Sequence, residues 1–185
     1  MLGNKLLEGK KVYLNAITRD DVPFFGRWFA NLELLSYLWV DAVFPQTQED
    51  ENEWFDHMRK SNDYDFAIRT LDVNQLIGSI SLKAPDWKNR CAVFGIAIGD
   101  PNFWGQGYGT DATRIILRYA FCELNLHRVE LYVYSTNPRA IKSYEKVGFR
   151  LEGAKRQAAF RDGQYFDIQI MGILRDEWQA LNPQL

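Results

Sequence analysis

Trp104-Gly105-Gln106-Gly107-Tyr108-Gly109-Thr110 sets three glycines at every second position between two regular segments. Before it, Ala92-Val93-Phe94-Gly95-Ile96-Ala97-Ile98 is a short apolar run with the character of a buried strand. After it, Ala112, Ile115, Ile116, Tyr119 and Ala120 recur at the spacing of one helical face. A glycine-rich turn from strand into helix leaves several backbone N–H groups bare at the positive end of the helix dipole. Such a turn is an anion site, and it suits a pyrophosphate.

Outward from this turn, the chain alternates strand and helix signals without repeats or linkers. Lys11-Val12-Tyr13-Leu14-Asn15-Ala16-Ile17 reads as a first strand. Thr18, with Asp21 three residues on, caps a helix carrying Val22, Phe24, Phe25, Trp28 and Phe29. Thr47 caps a second, acidic helix with Trp54, Phe55 and Met58; residues 34–45 between them are aromatic and irregular, a candidate substrate-facing loop. Residues 66–69, 76–82 and 92–98 are strands, and the turn at 72–75 makes them an antiparallel meander. The helix after the glycines runs to about Leu124, and Arg128-Val129-Glu130-Leu131-Tyr132-Val133-Tyr134 alternates as a clean strand. Asn137-Pro138 opens a short helix that Gly148 closes. Phe149-Arg150-Leu151 starts another strand, Asp162-Gly163 is a hairpin signal, and residues 165–174 form the last strand. The order is β-α-α-β-β-β-α-β-α-β-β. The expected class is α/β (α+β), with a mixed, mostly antiparallel sheet of about seven strands and helices on both faces.

The 185 residues predict one domain spanning 1–185 with a substantial core. A net charge of −2 gives no electrostatic footprint for nucleic acid. No apolar stretch is long enough for a signal peptide or membrane span, so a cytoplasmic protein without membrane contact is expected. Cys91 and Cys122 lie in apolar segments without a C-x-x-C partner and read as buried, reduced thiols. His57 and His127 are too isolated to make a metal site, and none is expected. Aromatic residues are 15% of the chain, a surplus that fills a core, lines a roomy pocket or forms a homodimer interface.

The two commonest phosphate loops fail here on residues. The dinucleotide pattern G-x-G-x-x-G, started at Gly105, needs a glycine where Thr110 stands. The nucleotide-triphosphate loop ends in Gly-Lys-Ser/Thr, and this chain has Gly109-Thr110-Asp111. The loop instead resembles the acyl-CoA loop of the GNAT superfamily of N-acetyltransferases, Arg/Gln-x-x-Gly-x-Gly/Ala. Gly107 and Gly109 fill its two small positions, and Trp104 stands in place of the Arg or Gln. The string Phe-Trp-Gly-x-Gly-Tyr-Gly-Thr is similar to the variant in the branch that includes ribosomal-protein N-acetyltransferases. Asn137-Pro138-Arg139-Ala140-Ile141-Lys142-Ser143-Tyr144-Glu145-Lys146-Val147-Gly148-Phe149 matches the superfamily segment N-x-x-A-x-x-x-Y-x-K-x-G-F at every key position. The resemblance covers residues 10–178.

The resemblance implies transfer of an acetyl group from acetyl-CoA, as co-substrate, to a primary amine. Trp104, Gly105, Gln106, Gly107, Tyr108, Gly109 and Thr110 would cradle its pyrophosphate. Ile96, Ala97 and Ile98 would bond pantetheine through their backbones. Asn137, which as N-cap also satisfies an orphan N–H, and Ala140 would complete the acetyl-CoA site. Gly95 marks a bulge that in the family parts this strand from 128–134; taken alone it could equally relieve packing. Tyr144 matches the position whose phenol protonates the departing thiolate, and a phenol is still protonated at neutral pH. Taken alone, that tyrosine could instead pack with its hydroxyl bonded to backbone. The general base stays open: 92–98 carry no carboxylate, and Glu33, Asp41, Glu130 or a water chain could serve. The acceptor is a small-molecule or peptide amine: a protein N-terminus from the branch, or a polyamine from the hairpin at 160–165. A non-catalytic acyl-CoA-binding or regulatory module on the same fold is the alternative, and the intact Tyr144 argues against it.

Overall fold

The computed structural model describes residues 6–38 and 47–184. Seven strands form one sheet in the order β1-β2-β3-β4-β5-β7-β6. They are β1 (Val12–Asn15), β2 (Tyr64–Thr70), β3 (Leu76–Asp86), β4 (Cys91–Ile98), β5 (Arg128–Tyr134), β6 (Arg150–Arg161) and β7 (Gln164–Leu174). Every pairing is antiparallel except β4 with β5. A parallel pair needs a crossover, and α4 (Tyr108–Arg118) supplies it.

The sheet is covered on both faces. Its larger core packs Ile80, Leu82, Phe94 and Leu131 against Ala112, Ile115 and Ile116 of α4, with α5 (Pro138–Glu145) at its edge. The smaller core sets Ala67 and Leu76 against Val22 and Phe25 of α1 (Val22–Phe29) and Phe55 of α3 (Gln48–Met58). The caps fall where the side chains can make them. Thr18 N–H donates to Asp21 Oδ2 at 2.9 Å, and the Asp50 N–H donates to Thr47 Oγ1 at 3.2 Å. The Asp162-Gly163 turn takes positive φ at both residues, 50° and 76°, as a two-residue hairpin of this hand requires.

Two helices go beyond the expected order. The short α2 (Leu32–Leu35) buries Leu34 and Leu35, and α6 (Arg175–Leu181) buries Trp178. Residues 39–45 of the expected irregular loop, Asp41 among them, lie outside the described residues. The cysteines differ from expectation: Cys91 is half-buried and Cys122 exposed. The helix after α4 widens into a π turn over Tyr119–Glu123, whose buried side is filled by Tyr119, Ala120 and Phe121, and Cys122 is left outside.

Candidate active site

The pairing of β4 with β5 holds only from Cys91–Arg128 to Val93–Glu130. Beyond that point the strands part, while β3 stays registered with β4 through Gly95 opposite Ser81. Gly95 is therefore not a bulge against β3. A Cβ there would come within 3.2 Å of Ser81 Oγ, so the glycine keeps a close approach open. A cleft of about 720 Å³ runs through the opening.

Above the end of β4 the chain turns through the glycines into α4. Gly105 and Gly107 take φ of +72° and +86°, and no atom lies within 4 Å of where either Cβ would be. Trp104 N–H donates to Pro101 O, and Asp111 N–H donates to Gly107 O. Between them, the N–H groups of residues 105–110 donate to no backbone carbonyl among the described residues. This is the bare row of donors that a diphosphate needs. Its start is fixed by Trp104, whose indole N–H donates to the Ile98 carbonyl at 2.7 Å. The tryptophan thus supports the loop where an Arg or Gln would reach into it. Arg139 stacks its guanidinium on Trp104 and on Tyr37, 4.3 and 5.2 Å from their centroids. The far end is fixed by the buried Asp111. Its Oδ2 accepts from the N–H groups of Lys10, Lys11 and Val12 at 2.8, 2.8 and 3.2 Å.

Ile96, Ala97, Ile98, Trp104, Gly105, Gly107, Gly109, Thr110, Asn137, Ala140 and Tyr144 all line the one cleft. Gln106 and Tyr108 do not line it. The Gln106 side chain bonds back to the Asn102 carbonyl, and the Tyr108 ring packs on Phe103 under Lys11 Nζ. Only their backbone N–H groups join the bare row. Asn137 caps α5 by accepting from Ala140 N–H at 3.1 Å, and Thr110 Oγ1 meets Ser143 Oγ at 2.7 Å, tying α4 to α5.

Tyr144 lies on α5 with its ring edge-on to Phe94, centroids 5.7 Å apart. Its hydroxyl makes no hydrogen bond among the described residues, so the backbone-bonded alternative does not hold. Burial pushes the phenol above its ordinary value, which keeps the proton on it. Of the carboxylates considered as base, Glu33 sits exposed in the first turn of α2. Glu130 is committed: its Oε2 accepts from Arg128 Nη2 at 3.1 Å and its Oε1 from the Tyr132 hydroxyl at 2.9 Å. Neither lines the cleft. Asp65, Ser81 and Lys83 do, on the face shared with α1 and α3, and sequence reasoning missed all three.

An acetyltransferase (GNAT) domain model matches residues 11–150. The spermidine N(1)-acetyltransferase of Vibrio cholerae serotype O1 is 31% identical over 165 residues, 89% of this chain and 94% of the relative. The spermidine N(1)-acetyltransferase of Escherichia coli K12 is 27% identical over 169 residues, 91% and 89% of the two chains. Among solved structures, the spermidine N-acetyltransferase from Vibrio cholerae in complex with CoA and spermine superposes with a TM-score of 0.82. It is 29% identical and covers 90% of this chain and 97% of its own. These relatives are spermidine enzymes and not ribosomal-protein acetyltransferases. The string at 103–110 carries the family and not the branch.

Proposed function

We propose that this chain, which belongs to the GNAT acetyltransferase family and is an acetyl-CoA-dependent N-acetyltransferase, acetylates a primary amine of a polyamine. The observation that carries the chemistry is the opening between β4 and β5. It has a row of N–H donors at one end and beside it a phenol without a hydrogen-bond partner, both bare among the described residues, and burial raises the phenol's pKa. Polyamine as acceptor is supported by relatives of that activity that match nearly the full length of both chains.

In this mechanism residues 105–110 hold the pyrophosphate of acetyl-CoA, and the backbone of 96–98 lines up its pantetheine. The acceptor enters from the face of α1 and α3. A free ammonium of this kind has a pKa of about 10.4 and must lose one proton before it attacks. The amine nitrogen then bonds to the acetyl carbon, whose oxygen gathers negative charge that a strand N–H can stabilise. The carbon–sulfur bond breaks, the departing thiolate takes the proton of Tyr144, and the nitrogen's second proton returns to the phenol through water. The products are an amide, CoA and one proton released to solvent. The whole chain acts as one domain in this reaction.

Thiol release from acetyl-CoA should be measured across spermidine, spermine, monoamines, amino-sugar amines and peptides with free N-termini. Saturable release with polyamines well above the other classes is expected. Release confined to peptides would replace the polyamine assignment with a protein N-terminus.

A further inference from the structure

Asp65 on β2 pairs with Ser81 on β3, and Ser81 pairs with Gly95 on β4. Residues directly opposed on neighbouring strands project to the same face, so these three form one row across the sheet. All three line the cleft. The row ends at the strand opening, one residue from Phe94, against which Tyr144 packs. Gly95 carries no side chain, so within the row Ser81 is the side chain that stands between the opening and Asp65. Strand spacing of about 4.8 Å puts the Asp65 backbone about 10 Å from that of Gly95.

The Asp65 carboxylate is unusual for a strand residue facing a cleft. Its side chain is only 14% exposed, and burial raises its pKa more than Lys83 lowers it. Lys83 Nζ stands 3.8 Å from Asp65 and 3.7 Å from Asp63, a loose bridge shared between two carboxylates. Asp63 also accepts the Ala84 N–H at 2.9 Å. Asp65 receives no backbone N–H among the described residues, so most of its acceptor capacity is unfilled. Asp65 is the one carboxylate among the described residues that line the cleft, and Lys83 beside it is shared with Asp63, which does not line it. Trp54 of α3 lines the same wall, and an indole face favours both a methylene chain and a cation.

We propose that Asp65 binds a second ammonium group of the acceptor while the first is acetylated beside Gly95. The acceptor's charged nitrogens must then be separated by an aminopropyl or aminobutyl arm, which spans what remains of the row once the carboxylate has taken its ammonium. Asp65 acts here as a specificity residue that touches substrate, and it takes no proton in the transfer. The inference rests on the polyamine assignment above and adds to it the residue that measures the acceptor.

The test is steady-state kinetics with spermidine and with butylamine, which offers a primary amine and no second charge. Wild type, Asp65→Asn and Lys83→Met are compared, with the CoA-induced rise in Tm confirming that each variant is folded. Asp65→Asn should lower kcat/KM for spermidine about tenfold, the loss of one charge-assisted hydrogen bond, through KM and with kcat retained. Its kcat/KM for butylamine should stay at the wild-type value. Lys83→Met should lower KM for spermidine, since it removes the cation that competes for Asp65. An unchanged KM for spermidine in Asp65→Asn, with wild type still preferring spermidine, overturns the role of Asp65 alone. A wild type that uses butylamine as well as spermidine overturns the polyamine assignment, and this inference with it.

Discussion

As the proposed general acid, Tyr144 is set up by what it lacks. Its hydroxyl has no hydrogen-bond partner among the described residues, and burial against Phe94 and Phe149 raises its pKa. A general acid works from its protonated form, so a raised pKa extends the active range upward in pH. The acceptor amine works from its deprotonated form and gains with pH over the same range. The kcat for polyamine acetylation should therefore climb from neutral pH and show no falling limb from Tyr144 below about pH 10, the ordinary tyrosine value. A falling limb centred near pH 8 would contradict this. The residues that hold the site were unevenly legible. Tyr144, Asn137 and the glycines were legible because two contiguous segments, 104–110 and 137–149, resemble the family's motifs. Asp65 does not, because its place in the cleft depends on the β2–β3–β4 register, which no local pattern encodes. Trp104 was visible as a departure from the family pattern, but its bond to Ile98 was not.

At the scale of elements, the site is a strand, a turn and a helix whose junctions are separately anchored. Trp104 secures the turn to β4, Asp111 secures the first turn of α4 to the chain before β1, and Thr110 meets Ser143 of α5. Gly107 sits between these anchors in the left-handed region, with open space where a side chain would go. Gly107→Val should therefore fold, at a cost of about 1–3 kcal/mol for the backbone conformation. Its isopropyl group would stand in the cleft lined by Gly107 and abolish the CoA-induced rise in Tm. Retained CoA affinity in that variant would place the pyrophosphate elsewhere. Helices α3, α4 and α5 were readable because their caps and faces are long enough to show a period. The four residues of α2 are too few for one, and the seven of α6 bury only Trp178, too little to show a face. β6 runs far past its legible start because both its faces are mostly exposed, so only pairing with β7 defines it.

At the scale of the molecule, the sheet is continuous except at the opening that the proposed reaction uses. Six antiparallel or parallel junctions join the strands, and only the β4–β5 junction stops partway along. Separate cores lie on the sheet's two faces, and the cleft connects the face under α4 and α5, proposed for CoA, to the face under α1 and α3, proposed for the acceptor. A ligand that binds only the folded state stabilises it. CoA at about 100 times its Kd adds about 2.7 kcal/mol. For a chain of this length that is a Tm rise of about 5–11 °C. No rise would mean that the bare N–H row is only a turn.

The most direct measurement is the rate of acetylspermidine formation from acetyl-CoA by the wild-type protein and by Tyr144→Phe, side by side. The wild type should form the product with saturation in both substrates. The variant, still binding CoA, should lose about 10²–10⁴-fold in kcat, the range for a general acid. A wild type that binds CoA and forms no acetylspermidine, or a phenylalanine variant as fast as the wild type, would contradict transfer through this cleft.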